Sequence, residues 1–210
     1  MRPDRHTGSA EDFWEGIYGN ASSRTSGLPS TILKRFATGR APGHALDLGC
    51  AKGDDVVWLA KQGWRVLGVD ISAVALGIAA KNAARNDVAD HIVFERHDLS
   101  KSFPDGKFDL VSAMFLQTPF DFPCALVLRA AASAVRPSGL LLVATHQTHA
   151  PWSWSAPNER EISAQDRFLE LDLEVSHWRQ VFVGPIHRKA KGPGGQQADV
   201  TDAVLALERV

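Results

Sequence analysis

Five short segments of the chain are apolar along most of their length: residues 45–49, 64–70, 91–95, 108–116 and 139–145. Strands covered on both faces carry runs of this kind. Between them lie stretches in which apolar residues return with the period of a helix that has one covered face. Residues 54–63 carry Val56, Val57, Leu59 and Ala60, with Asp54 as the expected cap and Gly63 as the stop. Residues 72–86 open on the capping hydroxyl of Ser72, and 123–135 and 163–171 complete the set. Strand–helix alternation implies βαβ units and a parallel sheet. The tail changes rhythm: 174–183 and 199–210 read as strands with no helix between them, only a turn around Gly192, Gly194 and Gly195. The predicted fold is therefore α/β: a doubly wound, mainly parallel seven-stranded sheet flanked by helices, with a C-terminal antiparallel hairpin at one edge. Ahead of the sheet, 12–18 is an amphipathic helix carrying Phe13, Trp14, Ile17 and Tyr18, and 30–36 a second helix stopped by Gly39 and Pro42. The segment through Ala10 is expected to be loose and 19–26 turn-rich. At 210 residues the chain fits one domain, 1–210.

The strongest local chemistry lies between the first strand and the helix after it: Asp47-Leu48-Gly49-Cys50-Ala51-Lys52-Gly53-Asp54. Glycines there allow a tight turn and a close approach to a ligand, at the carboxyl ends of the strands where open α/β sheets bind small molecules. Asp70 ends the second strand about 20 residues on, where such sheets place the acid that takes a ribose diol. The glycine spacing is G-x-x-x-G, not the G-x-G-x-x-G of dinucleotide sites. Asp47 and Asp54 flank it, which opposes a pyrophosphate and suits a ligand with a cationic amino group.

The run from Ala45 to Ser72 resembles the first glycine motif and following acidic strand of class I S-adenosylmethionine-dependent methyltransferases. Glu95-Arg96-His97-Asp98-Leu99 is similar to that family's third-strand acidic motif, and Phe108-Asp109-Leu110-Val111-Ser112 to its fourth. Val135-Arg136-Pro137-Ser138-Gly139, with the apolar run after it, resembles the turn into its fifth strand. The resemblance spans residues 44–146 and implies the Rossmann-like fold, S-adenosylmethionine as cofactor and methyl transfer as the activity. It implies that Gly49, Cys50, Ala51 and Gly53 form the loop around the methionine end, with Asp47 nearby. Asp70 binds the ribose and Ile71 packs on the adenine. Asp98 accepts from the adenine amino group beside the Leu99 backbone, and Met114 and Phe115 floor the site near the sulfonium. Phe13, Trp14 and Tyr18 are similarly spaced in small members related to thiopurine and tellurite-resistance methyltransferases, which implies that Trp14 and Tyr18 fold over the cofactor. The domain then divides into an N-terminal helical lid (1–40), a cofactor-binding core (41–146) and a substrate loop with the hairpin (147–210). Ala51 stands where the family often has a second glycine.

Composition narrows the acceptor. The formal net charge of −1 lacks the basic footprint of a nucleic-acid binder. No apolar run is long enough for a membrane span and no secretory leader is visible, and the two cysteines, Cys50 and Cys124, make no disulfide framework. A cytoplasmic protein without membrane or nucleic-acid partner is expected, with no metal. The fourth strand leads into Gln117-Thr118-Pro119-Phe120 and not into the Asp/Asn-Pro-Pro-aromatic run of enzymes that methylate adenine or glutamine amino groups. Pro123-Cys124 does not resemble a cytosine-methylating site, so a small-molecule substrate is favoured. His146 and His149, in the His- and Trp-rich loop that runs to Trp154 after the fifth strand, are the candidate general bases. Two other readings stay open: a nicotinamide-dependent oxidoreductase, and a non-catalytic regulator that senses S-adenosylmethionine.

Overall fold

A computed structural model describes residues 8–20, 25–153, 162–192 and 194–210. In chain order the elements are α1 (Ala10–Asn20), α2 (Thr31–Ala37), β1 (His44–Leu48), α3 (Asp54–Lys61), β2 (Arg65–Asp70), α4 (Ala73–Arg85), β3 (Ile92–Arg96) and β4 (Phe108–Met114). After these come α5 (Cys124–Ala134), β5 (Val135–His146), α6 (Ala164–Glu170), β6 (Trp178–Lys191) and β7 (Gln197–Arg209). They form one seven-stranded sheet in the order β3-β2-β1-β4-β5-β7-β6. The first five strands are parallel neighbours, and β7 runs antiparallel to both β5 and β6. The expected sheet and its C-terminal hairpin are both present.

Alternate residues of the apolar strands serve two layers. Leu141 and Val143 of β5, with Leu46, Leu48 and Val111, pack against Leu128 and Ala131 of α5 and Phe168 of α6. Leu140, Leu142 and Ala144, with Ala45, Val66 and Leu110, pack against Leu33 of α2 and Val56 and Leu59 of α3. Apolar side chains on both faces of β1, β2, β4 and β5 explain why those runs show no alternation of polar positions. β3 departs from the expectation: it is the edge strand, and Val93 on its outer face is 58% exposed. Strand order reverses between β1 and β4, so the loops after β1, β2 and β4 open around one crevice.

Several boundaries differ from the sequence reading. Asp54 is the first residue of α3 and not its cap; Gly53 takes the cap position at φ 79° without a side-chain hydrogen bond. Ser72 does cap α4, accepting from the Ala75 N–H at 3.0 Å. β5 starts at Val135, directly after α5, because Val135 pairs with Phe108 before the register shifts at Leu110. Ser138 bridges that shift at φ 63°. The fourth strand stops at Met114, since Phe115 turns to φ 60°. β6 begins at Trp178 after a single 3₁₀ turn and runs on to Lys191. α1 extends from Ala10 to Asn20. The predicted turns at 21–24 and Pro193, the opening 1–7, and Trp154 lie outside the described residues.

Gly53 couples the loop to the packing behind it. A Cβ there would meet the Ala79 Cβ of α4 at 2.9 Å, in a left-handed conformation besides. Gly53→Ala is expected to destabilise the fold by at least the ~1–2 kcal/mol of a left-handed non-glycine residue. Thermal unfolding would read this as a fall of about 2–4 °C per kcal/mol.

Candidate functional site

The turn after β1 is built by converging backbone bonds. The N–H groups of Gly49 and Cys50 both donate to the Val69 carbonyl, each at 2.9 Å. Ala51 follows at φ 49°, and its N–H donates to Asp70 Oδ2 at 2.9 Å. Alanine thus occupies a conformation that glycine adopts more readily, held there by the carboxylate. The other oxygen, Asp70 Oδ1, accepts from the Ser72 N–H at 2.9 Å. Burial pushes the Asp70 carboxyl up, and the neighbouring Glu15 adds to this; hydrogen bonds from the Ser72, Ala51 and Ile71 backbone counter only part of it.

Around this turn lies a cleft of two adjoining lobes. One is lined by Trp14, Tyr18, Gly49, Asp70, Ile71, Asp98, Leu99 and Phe115, and continues past Leu116, Gln117, Thr118 and Phe122. The other is lined by Tyr18, Leu28, Ser30, Asp47, Gly49, Cys50, Ala51, Lys52, Asp54, Asp55, Met114 and Phe115, three carboxylates against one cation. Of the residues singled out in the sequence as cofactor-binding, all but Gly53 line one lobe or the other. Gly53 stands behind the loop, against α4.

The second lobe is acidic. Asp47 is 3% exposed and accepts from Ser112 Oγ at 2.6 Å. Its carboxyl sits well above the usual range, pushed up by burial and then by Asp55, with the Ser112 bond acting against them. Asp55 accepts from the Ser30 N–H at 2.6 Å; burial, with Asp54 adding, raises it to about 6. Asp54 faces partly away, accepting from the Ser26 N–H and hydroxyl and from Asn82. Burial likewise pushes the Cys50 thiol well up, with Asp70 and Asp47 adding to it, so it stays protonated and unsuited to nucleophilic attack.

α1 closes the first lobe. Tyr18 stacks on Trp14 with ring centroids 6.0 Å apart, and Phe13 meets both Trp14 and Phe120 edge-on. Burial, then Asp70, pushes the Tyr18 hydroxyl up, so it is neutral at physiological pH. The helix buries no residue fully and is fastened by polar contacts instead. Glu15 receives the Ala73 N–H at 2.7 Å, the Ser72 hydroxyl at 2.9 Å and the Val74 N–H at 3.1 Å, so it caps α4 from outside. These bonds outweigh burial and hold its carboxyl below the usual range. Glu11 pairs with Arg96, whose Nε donates to the Ile71 carbonyl at 2.9 Å.

Asp98 lines the first lobe, and its carboxylate is already engaged. Oδ1 accepts from Ser100 N–H and Oγ at 3.1 and 2.6 Å, and Oδ2 pairs with Lys101 at 2.7 Å. His146 and His149 line neither lobe, but Phe115, which lines both, stacks on His146 at 4.4 Å. The sequence places no acid near His146; the fold supplies one. Antiparallel pairing sets His146 opposite Asp202, with Nδ1 and Oδ1 3.0 Å apart. Arg188 of β6 holds Asp202 from the other side, Nε to Oδ2 at 2.5 Å and Nη2 to Oδ1 at 3.2 Å. Burial opposes ionisation of Asp202, but these bonds from His146 and Arg188 outweigh it and keep the carboxyl below the usual range. The His149 ring stands edge-on to His146 at 6.0 Å, with Nε2 buried and unbonded among the described residues.

Sequence reasoning missed Glu15, Asp55, Arg188 and Asp202. Asp55 was visible as a second acid at the helix start. Asp202 stands just ahead of the apolar run 203–207, where an unpaired charge is costly. Nothing local marks Glu15 or Arg188.

A family model described as a methyltransferase domain matches residues 21–183. Over 52 residues, 25% of this chain and 16% of the relative, the chain is 44% identical to ribosomal RNA small subunit methyltransferase C of Alcanivorax borkumensis. It is 27% identical over 127 residues to the 2-heptyl-1-hydroxyquinolin-4(1H)-one methyltransferase of Mycobacteroides abscessus, covering 55% of this chain and 56% of that one. The chain thus spans about half, or less, of the length of the curated relatives it matches. Among solved structures, magnesium protoporphyrin IX methyltransferase from Synechocystis PCC 6803 with bound SAH is similar in fold, at a TM-score of 0.65 and 19% identity over 95% of this chain and 93% of that one.

Two outcomes are expected of the protein without ligand. Because the folded state raises Asp55 from 3.8 to about 6, its contribution to stability is complete below 3.8 and is lost as pH rises through about 6. Asp55→Asn removes that loss. It should raise the melting temperature at pH 7 by the equivalent of about 1–3 kcal/mol and change it little at pH 4. Glu15→Ala should lower stability by about 0.5–2 kcal/mol, the range for a lost helix cap. It should also speed amide hydrogen exchange in α1 and the first turn of α4 well beyond the rest of the chain.

Proposed function

The chain belongs to the methyltransferase-domain family that its residues 21–183 match, and on that premise we propose that it transfers the methyl group of S-adenosylmethionine to a small-molecule acceptor. One observation carries the reading: a single cleft joins a lobe holding the buried acids Asp47 and Asp55, which accept from the Ser112 hydroxyl and the Ser30 N–H, to a lobe lined by the Asp70 carboxylate. An ammonium group at the first and a ribose diol at the second satisfy acids that burial otherwise penalises. The residues present therefore fit the cofactor. When bound, its sulfonium supplies an already activated methyl group, leaving the protein to bind, align and exclude water.

In this reading Asp47 and Asp55 receive the ammonium end, and Gly49, Cys50 and Ala51 bring backbone close to the methionine. Gly53 lets α3 lie near enough to α4 to hold that loop. Asp70 accepts from the ribose hydroxyls, while Ile71 and Leu99 flank the adenine. The bonds from Asp98 to Ser100 and Lys101 support a part in shaping the turn that presents Leu99 as well as in meeting the adenine. Met114 and Phe115 form the floor at the sulfur, and Trp14 and Tyr18 cover it. The lobe's continuation past Leu116, Gln117 and Phe122 is the place for an acceptor.

Magnesium protoporphyrin IX and the quinolinone, the substrates named for two similar proteins, are both small molecules. The net charge of −1 favours the same class here over nucleic acid, and the match to the ribosomal RNA enzyme is confined to 52 residues. Among the described residues no helix is long and apolar enough to cross a membrane. Both cysteines are free, which supports a cytoplasmic setting. The acids around the glycine loop oppose a nicotinamide dinucleotide.

Calorimetric titration separates these readings. S-adenosylmethionine and S-adenosylhomocysteine are expected to bind at micromolar level, and NAD and NADP not to bind. Asp70→Ala should weaken both adenosyl ligands at least ~10-fold, the equivalent of losing charge-assisted hydrogen bonds. Equal affinity in the variant would remove Asp70 from the ribose, and nicotinamide binding would overturn the class. Cofactor binding with no turnover on any acceptor would favour the regulator.

A further inference from the structure

His146, Asp202 and Arg188 meet beside Phe115, which lines both lobes. An ionised carboxylate only accepts hydrogen bonds, so a bond of 3.0 Å from Asp202 to His146 Nδ1 puts the ring proton on Nδ1. The Arg188 guanidinium lies farther from Nδ1, at 3.5 Å, and is bonded to both oxygens of Asp202, so it fixes the acid and leaves the tautomer alone. Among the described residues the groups facing His146 are Asp202 from β7, Arg188 from β6, Phe115 and Gln117 from the loop after β4, the latter accepting the His146 backbone N–H at 3.1 Å, and His149 from its own loop. With the ring proton on Nδ1, the imidazole lone pair lies on Nε2, on the opposite side of the ring. The side chain is 34% exposed, so small molecules can reach it.

The geometry points to His146 as the general base of the methyl transfer and Asp202, braced by Arg188, as its positioning residue. The acceptor is then a phenol, whose hydroxyl must give up its proton. This deepens the proposed function and rests on it. An imidazole is the side chain most often used to take such a proton. An acceptor with no proton to lose has no use for such a base. Phe115, Leu116 and Phe122 around the acceptor end suit a flat apolar ring. In the step, the acceptor O–H proton passes to Nε2 and the freed lone pair attacks the methyl carbon. The carbon–sulfonium bond breaks with its electron pair going to sulfur, and the imidazolium afterwards returns the proton to water. Asp202 steadies the imidazolium without taking its proton, and the stacked Phe115 ring keeps the imidazole beside the cofactor floor.

The test begins with ¹⁵N-histidine NMR of the full chain with S-adenosylhomocysteine bound. His146 is expected to carry its proton on Nδ1, and Asp202→Asn should shift it to Nε2. A wild-type proton on Nε2 overturns the proposal. Because Asp202 is buried and its variant can unfold, His146→Gln provides the second arm. With phenol as the probe, its kcat should fall about 10²–10⁴-fold. With pentafluorothiophenol, already ionised at neutral pH, kcat should change by less than about threefold. Equal loss on ionised and protonated acceptors makes the cluster a structural tie between β5, β6 and β7 and sinks the base. If no probe turns over, the tautomer decides alone. Failure of the wild-type protein to bind S-adenosylhomocysteine removes the methyltransferase reading and is seen separately, in the titration.

Discussion

The cleft depends on one carboxylate. Asp70 ends β2 and reaches two backbone N–H groups, that of Ala51 in the turn after β1 and that of Ser72 at the start of α4. Without those bonds, Ala51 has no reason to remain at a positive φ, and the turn would not keep its open face toward the crevice. The same Ser72 offers its hydroxyl to Glu15, which brings α1 into the network. The turn after β1, the acid that ends β2 and α1 are therefore parts of one hydrogen-bonded assembly, and the two apolar layers behind it hold the strand ends in place.

The acids of the cleft work against the empty protein. Asp47, Asp55 and Asp70 are each raised mainly by burial, and Asp47 is raised further by the charges of the other two. Such a cluster is costly to keep ionised unless a positive group stands near it.

Much of this was legible in the chain. Apolar runs fixed by burial on both faces gave the strands, and the glycine spacing with Asp70 gave the cleft, because those contacts are local: Ala51 and Asp70 are 19 positions apart. Boundaries were less legible where tertiary pairing overrides the local signal. Val135 joins β5 only because Phe108 is its partner, and Gly53, not Asp54, caps α3 because α4 packs against it. Arg188 and Asp202 could not be read as site residues, since their meaning comes from a register between β5, β6 and β7 that no spacing in the sequence displays.

That difference in spacing orders the making of the molecule. The residues that line the cleft, from Ala10 to Phe122, are all made before the hairpin is. His146 must wait a further 56 residues for Asp202 on β7. Closing a loop of that length carries an entropy that the 19-residue closure from Ala51 to Asp70 does not. The turn after β1 can therefore set before the His146–Asp202 pair is able to form.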